Sequence, residues 1–381
     1  MERGRLGEEL LALLADLVAI PSTYPPGDTE RISAFAANFF SALGYRVGRL
    51  SRRPGVGNVV ARLGSARPSV AFNAHADTVN VAEGSTWRTD PYRATLVDGR
   101  VYGLGACNCK ASMAVHMWLA RQIARRGGPK RGEVVFTFVG DEENLGTDGM
   151  AYLRDTGAVK PDTLIVAAPT RNRLVYEERG VMWLRITARG SAAHAGAPET
   201  GDSAILRMHR IIAALERELA PRIALRRSAH GQQATLSIGR IRGGENINVV
   251  PDHCLIEVDR RLLPDEDFDA AYEELRAAVL TAGAQQVELL TGTPGFSAPE
   301  SGAGARAFAE AIQEVTGKAP ARLNVVGASD GRHFARDGIE ILVIGPGDGA
   351  DSHMPNEFVG LEEMVDAARI HLAAAERLLG L

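Results

Sequence analysis

The sequence is poor in cysteine, contains no long apolar run and has no block of basic residues. Its 3 cysteines in 381 residues cannot all pair, so we expect a reducing cytoplasmic location rather than a disulfide-held secreted scaffold. No apolar run approaches the ~20 residues that cross a membrane, and charges interrupt the apolar pattern of the opening residues, unlike a secretory leader. The net charge of −4, without clustered Lys and Arg, argues against a nucleic-acid partner.

The remaining composition is that of a globular protein, in a chain long enough for two domains. Over residues 1–177, short apolar strands alternate with helical segments, and the pattern returns over 293–381. This alternation predicts an α/β fold with a mainly parallel sheet and helices on both faces. Residues 178–292 follow the order β-α-β-β-α-β, which predicts an inserted ferredoxin-like α+β domain. Near the end of the chain, LNVVG (323–327) is predicted as a strand that precedes a helix.

Polar side chains lie at the ends of several predicted strands. His75 and Asp77 are two residues apart, so in extended backbone they share one face, where the carboxylate can orient the imidazole. Glu142 and Glu143 follow another strand, and adjacent carboxylates can divide metal binding and proton transfer between them. Two simpler interpretations remain open. His75 and Asp77 also fit a structural pair, and the two glutamates fit a solvated helix start.

Three further positions belong to the same predicted edge of the sheet. Asn108 follows the glycine-rich turn in GLGACNCK, Ala168 ends a strand, and His353 lies in the loop after EILVIGPG. In an open α/β sheet, ligands bind beyond the carboxyl ends of the strands. We therefore expect a site to form where these residues meet His75 and the two glutamates.

Eight motifs, taken in order, resemble those of one enzyme family. They are HADTV, GLGACNCK, DEENLG, APT, GSAAHAGAPETGDSAI, GGENINVVP, SDGRHF and GPGDGADSHMPNE. Over essentially the whole chain they resemble the zinc amidohydrolase and peptidase family of acetylornithine deacetylase, succinyl-diaminopimelate desuccinylase and carboxypeptidase G. The resemblance implies a zinc-exopeptidase-like fold with an inserted lid and dimerisation domain. It also implies a metal-dependent hydrolase of small N-acyl or amide-linked amino acids, without an organic cofactor.

The resemblance further implies roles for the residues at the sheet edge. His75 would bind a first zinc ion, with Asp77 oriented behind the imidazole. Glu143 and His353 would bind a second zinc ion. Glu142 would be the general base that activates a bridging water.

Residues outside that edge receive roles from the same resemblance. His194, in the inserted domain, would stabilise the oxyanion across a dimer interface, and Asn248 would assist it. Arg332, in SDGRHF, would hold a carboxylate of an amino-acid-like substrate through a bidentate contact. Because His194 would act on a partner chain, a homodimer is expected. Arg332 could instead cap a helix or pair with Asp330.

Two positions depart from the family pattern. The family's bridging aspartate falls at Asn108, and its acidic ligand of the first zinc falls at Ala168. The family's three anionic ligands fall at Asn108, Ala168 and Glu143, and only Glu143 is still a carboxylate. A neutral amide oxygen is a poor zinc ligand. The sequence therefore predicts that no tight dinuclear zinc centre forms. Natural divergence and deliberate substitution both account for the change, and an intact Glu142 favours divergence.

Three hypotheses follow from an altered metal site. The first is an amidohydrolase-family enzyme whose use of zinc is weak or lost. The second is a metal-independent enzyme of another class in the same pocket, catalysing acyl transfer, amide formation, cyclisation, elimination or isomerisation. The third is a non-catalytic binding homologue. Intact Glu142, His194 and Arg332 argue against the third hypothesis, because a scaffold does not need them.

Overall fold

The structure is a computed structural model that describes residues 2–81, 85–324 and 327–381. The chain divides into two compact units. The larger unit is formed by Met1–Tyr176, Ala298–Leu323 and Ser329–Leu381. The smaller unit is formed by Glu177–Ser297 and Asn324–Ala328. No helix of the described residues is both long and apolar enough to cross a membrane.

The larger unit alternates helices and strands. Its helices are α1 (Glu2–Val18), α2 (Glu30–Ala42), α3 (Ala111–Arg125), α4 (Met150–Asp155), α8 (Ala303–Thr316) and α9 (Leu361–Leu379). Its strands are β1 (Thr23–Tyr24), β2 (Arg46–Leu50), β3 (Asn58–Gly64), β4 (Ser69–His75), β5 (Thr78–Val79), β6 (Thr95–Val97), β7 (Arg100–Tyr102), β8 (Glu133–Val139), β9 (Thr163–Val166), β18 (Glu340–Val343) and β19 (Phe358–Gly360).

The central sheet of this unit has the strand order β18-β9-β4-β8-β3-β2. Strands β18, β9, β4 and β8 run parallel, β3 runs antiparallel to β8, and β2 runs antiparallel to β3. Every residue of β4 is buried, as expected for a central strand covered on both faces. The predicted α/β fold with a mainly parallel sheet is confirmed.

Helices complete the core of the larger unit. Helix α3 has the predicted bounds, and most of its residues are buried. The helix predicted after 327 is wrong, because the chain forms only a short 3₁₀ turn over Asp330–Phe334 before β18 begins. Glycines and charged residues around this turn leave no apolar stripe on which a longer helix could pack. Within the predicted strand at 323–327, residues 325 and 326 lie outside the described residues.

The described part of the smaller unit contains a four-stranded antiparallel sheet, two two-stranded antiparallel sheets and several helices. The helices are α5 (Ala204–Ala214), α6 (Ala220–Ala224) and α7 (Phe268–Thr281). The strands are β10 (Glu177–Glu178), β11 (Gly180–Arg189), β12 (Ala193–His194), β13 (Thr235–Gly243), β14 (Val249–Val250), β15 (His253–Leu262), β16 (Gln286–Thr293) and β17 (Phe296–Ser297). The sheet order β13-β15-β11-β16 is the ferredoxin-like order that the sequence predicts.

Candidate functional site

Parallel strands of the central sheet deliver the candidate residues to one edge. His75 is the last residue of β4, and Glu142 and Glu143 follow β8. Ala168 follows β9, and His353 lies in the loop after β18. Because these four strands are parallel, their carboxyl ends meet at the same edge. The structure therefore brings these residues to one edge of the sheet, as expected.

The side-chain amide of Asn108 contacts three other side chains of this cluster. Its Oδ1 lies 3.1 Å from Nε2 of His75. Its Nδ2 lies 3.0 Å from Oε1 of Glu143 and 3.1 Å from Nε2 of His353. An amide oxygen only accepts hydrogen bonds and an amide nitrogen only donates them. Asn108 thus donates to Glu143, and Nε2 of His353 also lies 3.0 Å from Oε1 of this carboxylate, which can only accept a hydrogen bond.

The contact between His75 and Asp77 differs from the expected one. The main-chain oxygen of Asp77 lies 2.9 Å from Nδ1 of His75, whereas the carboxylate oxygen Oδ1 is 3.6 Å away. Oδ2 of Asp77 instead accepts the backbone N–H of Glu143 at 3.0 Å. Burial disfavours the charged ring, but Asp77, Cys109 and Glu142 together outweigh it and raise the pKa of His75 well above its ordinary value. Asp77 therefore positions Glu143 as well as His75.

Glu142 is paired with Arg332 in the interior. Nη1 of Arg332 lies 3.2 Å from Oε1 of Glu142, and the arginine is 3% exposed. Burial raises the pKa of Glu142, and the nearby Glu143 adds a smaller contribution in the same direction. Burial is therefore the main cause of this shift, and crowding by Glu143 is secondary. Burial also raises the pKa of Asp330 to about 7.

Arg332 keeps one edge of its guanidinium without a partner. Its Nε and Nη2 are buried and have no hydrogen-bond partner among the described residues. These two nitrogens form the fork that binds a carboxylate through two parallel hydrogen bonds. Arg332 makes its ion pair with Glu142, and no pair with Asp330 is formed within the described residues.

Glu357 is a residue of this site that the sequence reasoning missed. Its carboxylate accepts backbone N–H groups of Gly105, Cys107 and Asn108 at 3.0, 2.9 and 2.9 Å. It is 2% exposed, and burial raises its pKa. Glu357 therefore fixes the turn that carries Asn108. The available signal was an acidic residue close behind His353 in the motif GPGDGADSHMPNE.

The edge of the sheet also presents candidate metal-binding donors. Ala168 has no donor atom, and Asn108 offers only a neutral amide. Among the described residues, the clustered donors are His75, Glu142 and Glu143, which can place one ligand atom each within 4.8 Å of one another. Of these three donors, Glu142 is also paired with Arg332.

His194 and Asn248 lie together in the smaller unit. His194 is in β12, opposite Val249 of β14, and the backbone N–H of Ala195 donates to the main-chain oxygen of Asn248 at 2.9 Å. Nδ1 of His194 accepts the backbone N–H of Gly196 at 3.0 Å, so the ring proton is on Nε2. Both side chains are exposed. His194 thus presents an N–H donor at the surface of this unit.

Comparisons with known proteins agree with the motifs. The profile described as Peptidase family M20/M25/M40 matches residues 71–377. A succinyl-diaminopimelate desuccinylase of Rhodospirillum centenum is 28% identical, with 96% of each chain covered. An acetylornithine deacetylase of Vibrio campbellii is 25% identical, covering 90% of this chain and 91% of its own. In fold, the chain is similar to the M20 family metallo-carboxypeptidase Sso-CP2 of Sulfolobus solfataricus, with a TM-score of 0.81, 16% identity and coverage of 98% and 99%.

Proposed function

The chain belongs to Peptidase family M20/M25/M40, and from this premise we propose that it hydrolyses a small N-acyl or amide-linked amino-acid-like compound with weak or lost use of zinc. The observation that carries the metal part of the proposal is the amide of Asn108, which contacts His75, Glu143 and His353 where the family pattern has a bridging carboxylate. Relatives named as a desuccinylase and a deacetylase support the substrate class.

The substrate class is also supported by the chemistry of Arg332. Its free Nε and Nη2 fork suits a carboxylate, and Glu142 lies 3.2 Å from Nη1 of the same guanidinium. In this assignment Arg332 binds and orients the substrate. Its short contact with Glu142 then couples substrate binding to the position of the base.

Proton transfer is assigned to Glu142. As a carboxylate, Glu142 takes a proton from a water that attacks the acyl carbonyl carbon, and it returns a proton to the leaving nitrogen. His194, with its proton on Nε2, and Asn248 are assigned to the developing oxyanion, supplied by a partner chain in a homodimer. Hydrolysis of an unactivated amide by these groups alone is expected to be slow, since a Lewis acid normally polarises the carbonyl.

A reducing compartment and a homodimer complete the proposal. The three cysteines are buried free thiols, which suits a cytoplasmic protein. Strand β13 is an edge strand of the smaller unit, and Ile241 on this strand is exposed. An exposed apolar edge strand favours pairing with a second copy.

Metal content measured by mass spectrometry tests the proposal directly. The protein is analysed as purified and again after soaking in zinc and desalting, and N-succinyl and N-acetyl amino acids are assayed with and without chelator. The comparison protein is the double substitution Asn108→Asp with Ala168→Glu, which restores the two missing carboxylates. The native chain is expected to retain less than one zinc ion, and the double variant two.

The outcomes separate the hypotheses. Two tightly held zinc ions in the native chain, with chelator-sensitive hydrolysis, would overturn the weak-metal proposal and leave an ordinary family hydrolase. Turnover unaffected by chelator would support a hydrolase that has lost zinc. Absence of hydrolysis in both proteins would refute the hydrolase assignment and favour another reaction class in the same pocket.

A further inference from the structure

A cavity of about 690 Å³ lies in the larger unit, away from the carboxyl edge of its sheet. Side chains from α1, α3, α8 and α9 line this cavity. Its apolar wall includes Leu6, Val315 and Leu372, together with Trp118, which is 7% exposed. A volume of this size is typical of small-molecule sites. The candidate active site does not use any of these residues.

The cavity carries an excess of positive charge. Five arginines and three glutamates line it. Each of the three glutamates has an arginine neighbour: Glu9 with Arg121, Glu314 with Arg377, and Glu376 with Arg126. The acidic groups of the wall are therefore already neutralised.

Two of the lining arginines lack such a partner. Arg125, at the end of α3, and Arg369, on α9, have no hydrogen bond or ion pair with any described residue. The indole N–H of Trp118 likewise has no acceptor within the described ranges. Arg125 is exposed and Arg369 is half-buried. Two guanidinium groups without a counter-charge among the described residues thus border the cavity, one exposed and one half-buried.

We infer that this cavity binds a small organic anion, a carboxylate or phosphate group carried on an aromatic or branched apolar body. The guanidinium groups of Arg125 and Arg369 bind the oxyanion, because planar forks suit both carboxylate and phosphate. The face of Trp118 and the aliphatic wall bury the apolar body. A simple inorganic anion would leave the apolar wall uncovered, and a neutral aromatic would leave the arginines unpaired.

The position of the cavity relates it to the candidate site through two helices. Helix α3 begins at Ala111, directly after the turn that holds Asn108, and reaches the cavity at Trp118 and Arg125. Helix α9 begins at Leu361, shortly after Glu357, and reaches the cavity at Arg369. A ligand in the cavity would therefore contact the two helices that follow Asn108 and Glu357 in the chain.

Calorimetric titration of the full chain tests the inference with three matched probes. They are 2-naphthoate, 2-naphthyl phosphate and 2-naphthalenemethanol, which share one apolar body and differ in the charged group. At least one anionic probe is expected to bind at one equivalent per chain, and the neutral alcohol about tenfold more weakly or not at all. The stronger of the two anions identifies the preferred head group. Raising NaCl from about 0.05 M to 0.5 M should weaken anion binding.

Substitutions locate the binding. Arg125→Gln and Arg369→Gln are each expected to lower the affinity for the anionic probe about tenfold. Arg31→Gln, an exposed helical arginine outside the cavity, is the matched control and should bind as the native chain does. Saturable binding lost in both cavity variants supports the inference. The inference would be overturned if neither anion binds or if the alcohol binds equally well. Unchanged affinity in both cavity variants would also overturn it, because the probe would then bind elsewhere, for example at Arg332.

Discussion

At the scale of single residues, Asn108 and Glu357 define the local arrangement of the site. Asn108 joins side chains that are far apart in the sequence, and Glu357 holds the backbone of Asn108 in place. A carboxylate that accepts three buried backbone N–H groups is strongly stabilising, since its loss leaves several donors without partners. The shape of the cluster therefore depends on Glu357 as much as on the side chains it displays.

Replacing Glu357 should destabilise the fold. Glu357→Ala is expected to lower the free energy of unfolding by about 3 kcal/mol, because three buried donors lose their acceptor. Urea denaturation at pH 7 measures the change. Glu362→Ala is the control, since Glu362 is an exposed glutamate bonded to Arg3 and should cost less than about 1 kcal/mol. A Glu357→Ala protein as stable as the control would contradict the proposed role.

The pair of Glu142 and Arg332 should show strong energetic coupling. Arg332→Gln leaves Glu142 buried without its cation and is expected to lower the free energy of unfolding by about 3 kcal/mol. The double variant Arg332→Gln with Glu142→Gln should lose less stability than the sum of the two single variants. Urea unfolding of the four proteins gives the coupling energy.

A second cycle at the more exposed pair of Arg154 and Asp337 provides the control. Its coupling should stay below about 1 kcal/mol, since solvent screens the charges. Equal coupling energies in the two cycles would mean that burial adds nothing to the pair of Glu142 and Arg332.

At the scale of elements, helices α3 and α9 pack through two buried imidazoles. The ring centroids of His116 and His371 are 5.4 Å apart, and Phe72 and Phe308 contact the ring of His371. Burial lowers the pKa of His371 to about 4, and it lowers that of His116 well below the ordinary value. These rings are neutral in the folded chain, so the unfolded chain binds protons that the folded chain does not.

Stability should fall in mild acid because of this pair. A pKa lowered from 6.5 to about 4 leaves the stabilisation complete above pH 6.5 and removes it as the pH falls toward 4. Between pH 7 and pH 5, proton binding by His371 alone should lower the free energy of unfolding by about 2 kcal/mol. His371→Leu should reduce the pH dependence of the free energy of unfolding by that amount, as measured in urea at both pH values.

A truncation of the neighbouring core separates proton binding from packing. Phe308→Leu removes part of the ring that contacts His371 but no titrating group. It should lower stability about equally at pH 7 and pH 5. If His371→Leu keeps the full pH dependence of the native chain, the titration must come from other groups.

At the scale of the whole molecule, the assembly is the main open prediction. Both long edges of the sheet in the smaller unit carry exposed apolar residues, Ile241 on β13 and Leu289 on β16. Strand β13 also has Ile247 and Val249 exposed shortly after it. We therefore expect a homodimer that pairs through the β13 edge.

Light scattering should give twice the chain mass of 40.7 kDa. Ile241→Glu places a charge on the expected interface and should shift the protein toward monomer at micromolar concentration. Leu289→Glu, at the opposite edge of the same sheet, is the matched control and should remain dimeric. A monomeric native chain, or dissociation by Leu289→Glu alone, would refute this interface.

Sequence alone predicted the fold class, the helix over Ala111–Arg125 and the gathering of His75, Glu142, Glu143 and His353. These features follow from local periodicity and from the rule that parallel strands end at one edge. The family could also be identified from the sequence, because its motifs are short stretches of contiguous residues.

Only the tertiary structure decided how those residues pair. Asn108 contacts His353, 245 positions away, and Glu357 reaches back 249 positions to the backbone of Asn108. The pairing of Arg332 with Glu142 and the cavity beside Arg369 likewise join separate segments. Side-chain direction and burial at such distances are set by packing of the whole unit, because no local pattern specifies which remote groups will meet. The sequence therefore determined which chemical groups this protein has, and the folded chain determined which of them act on one another.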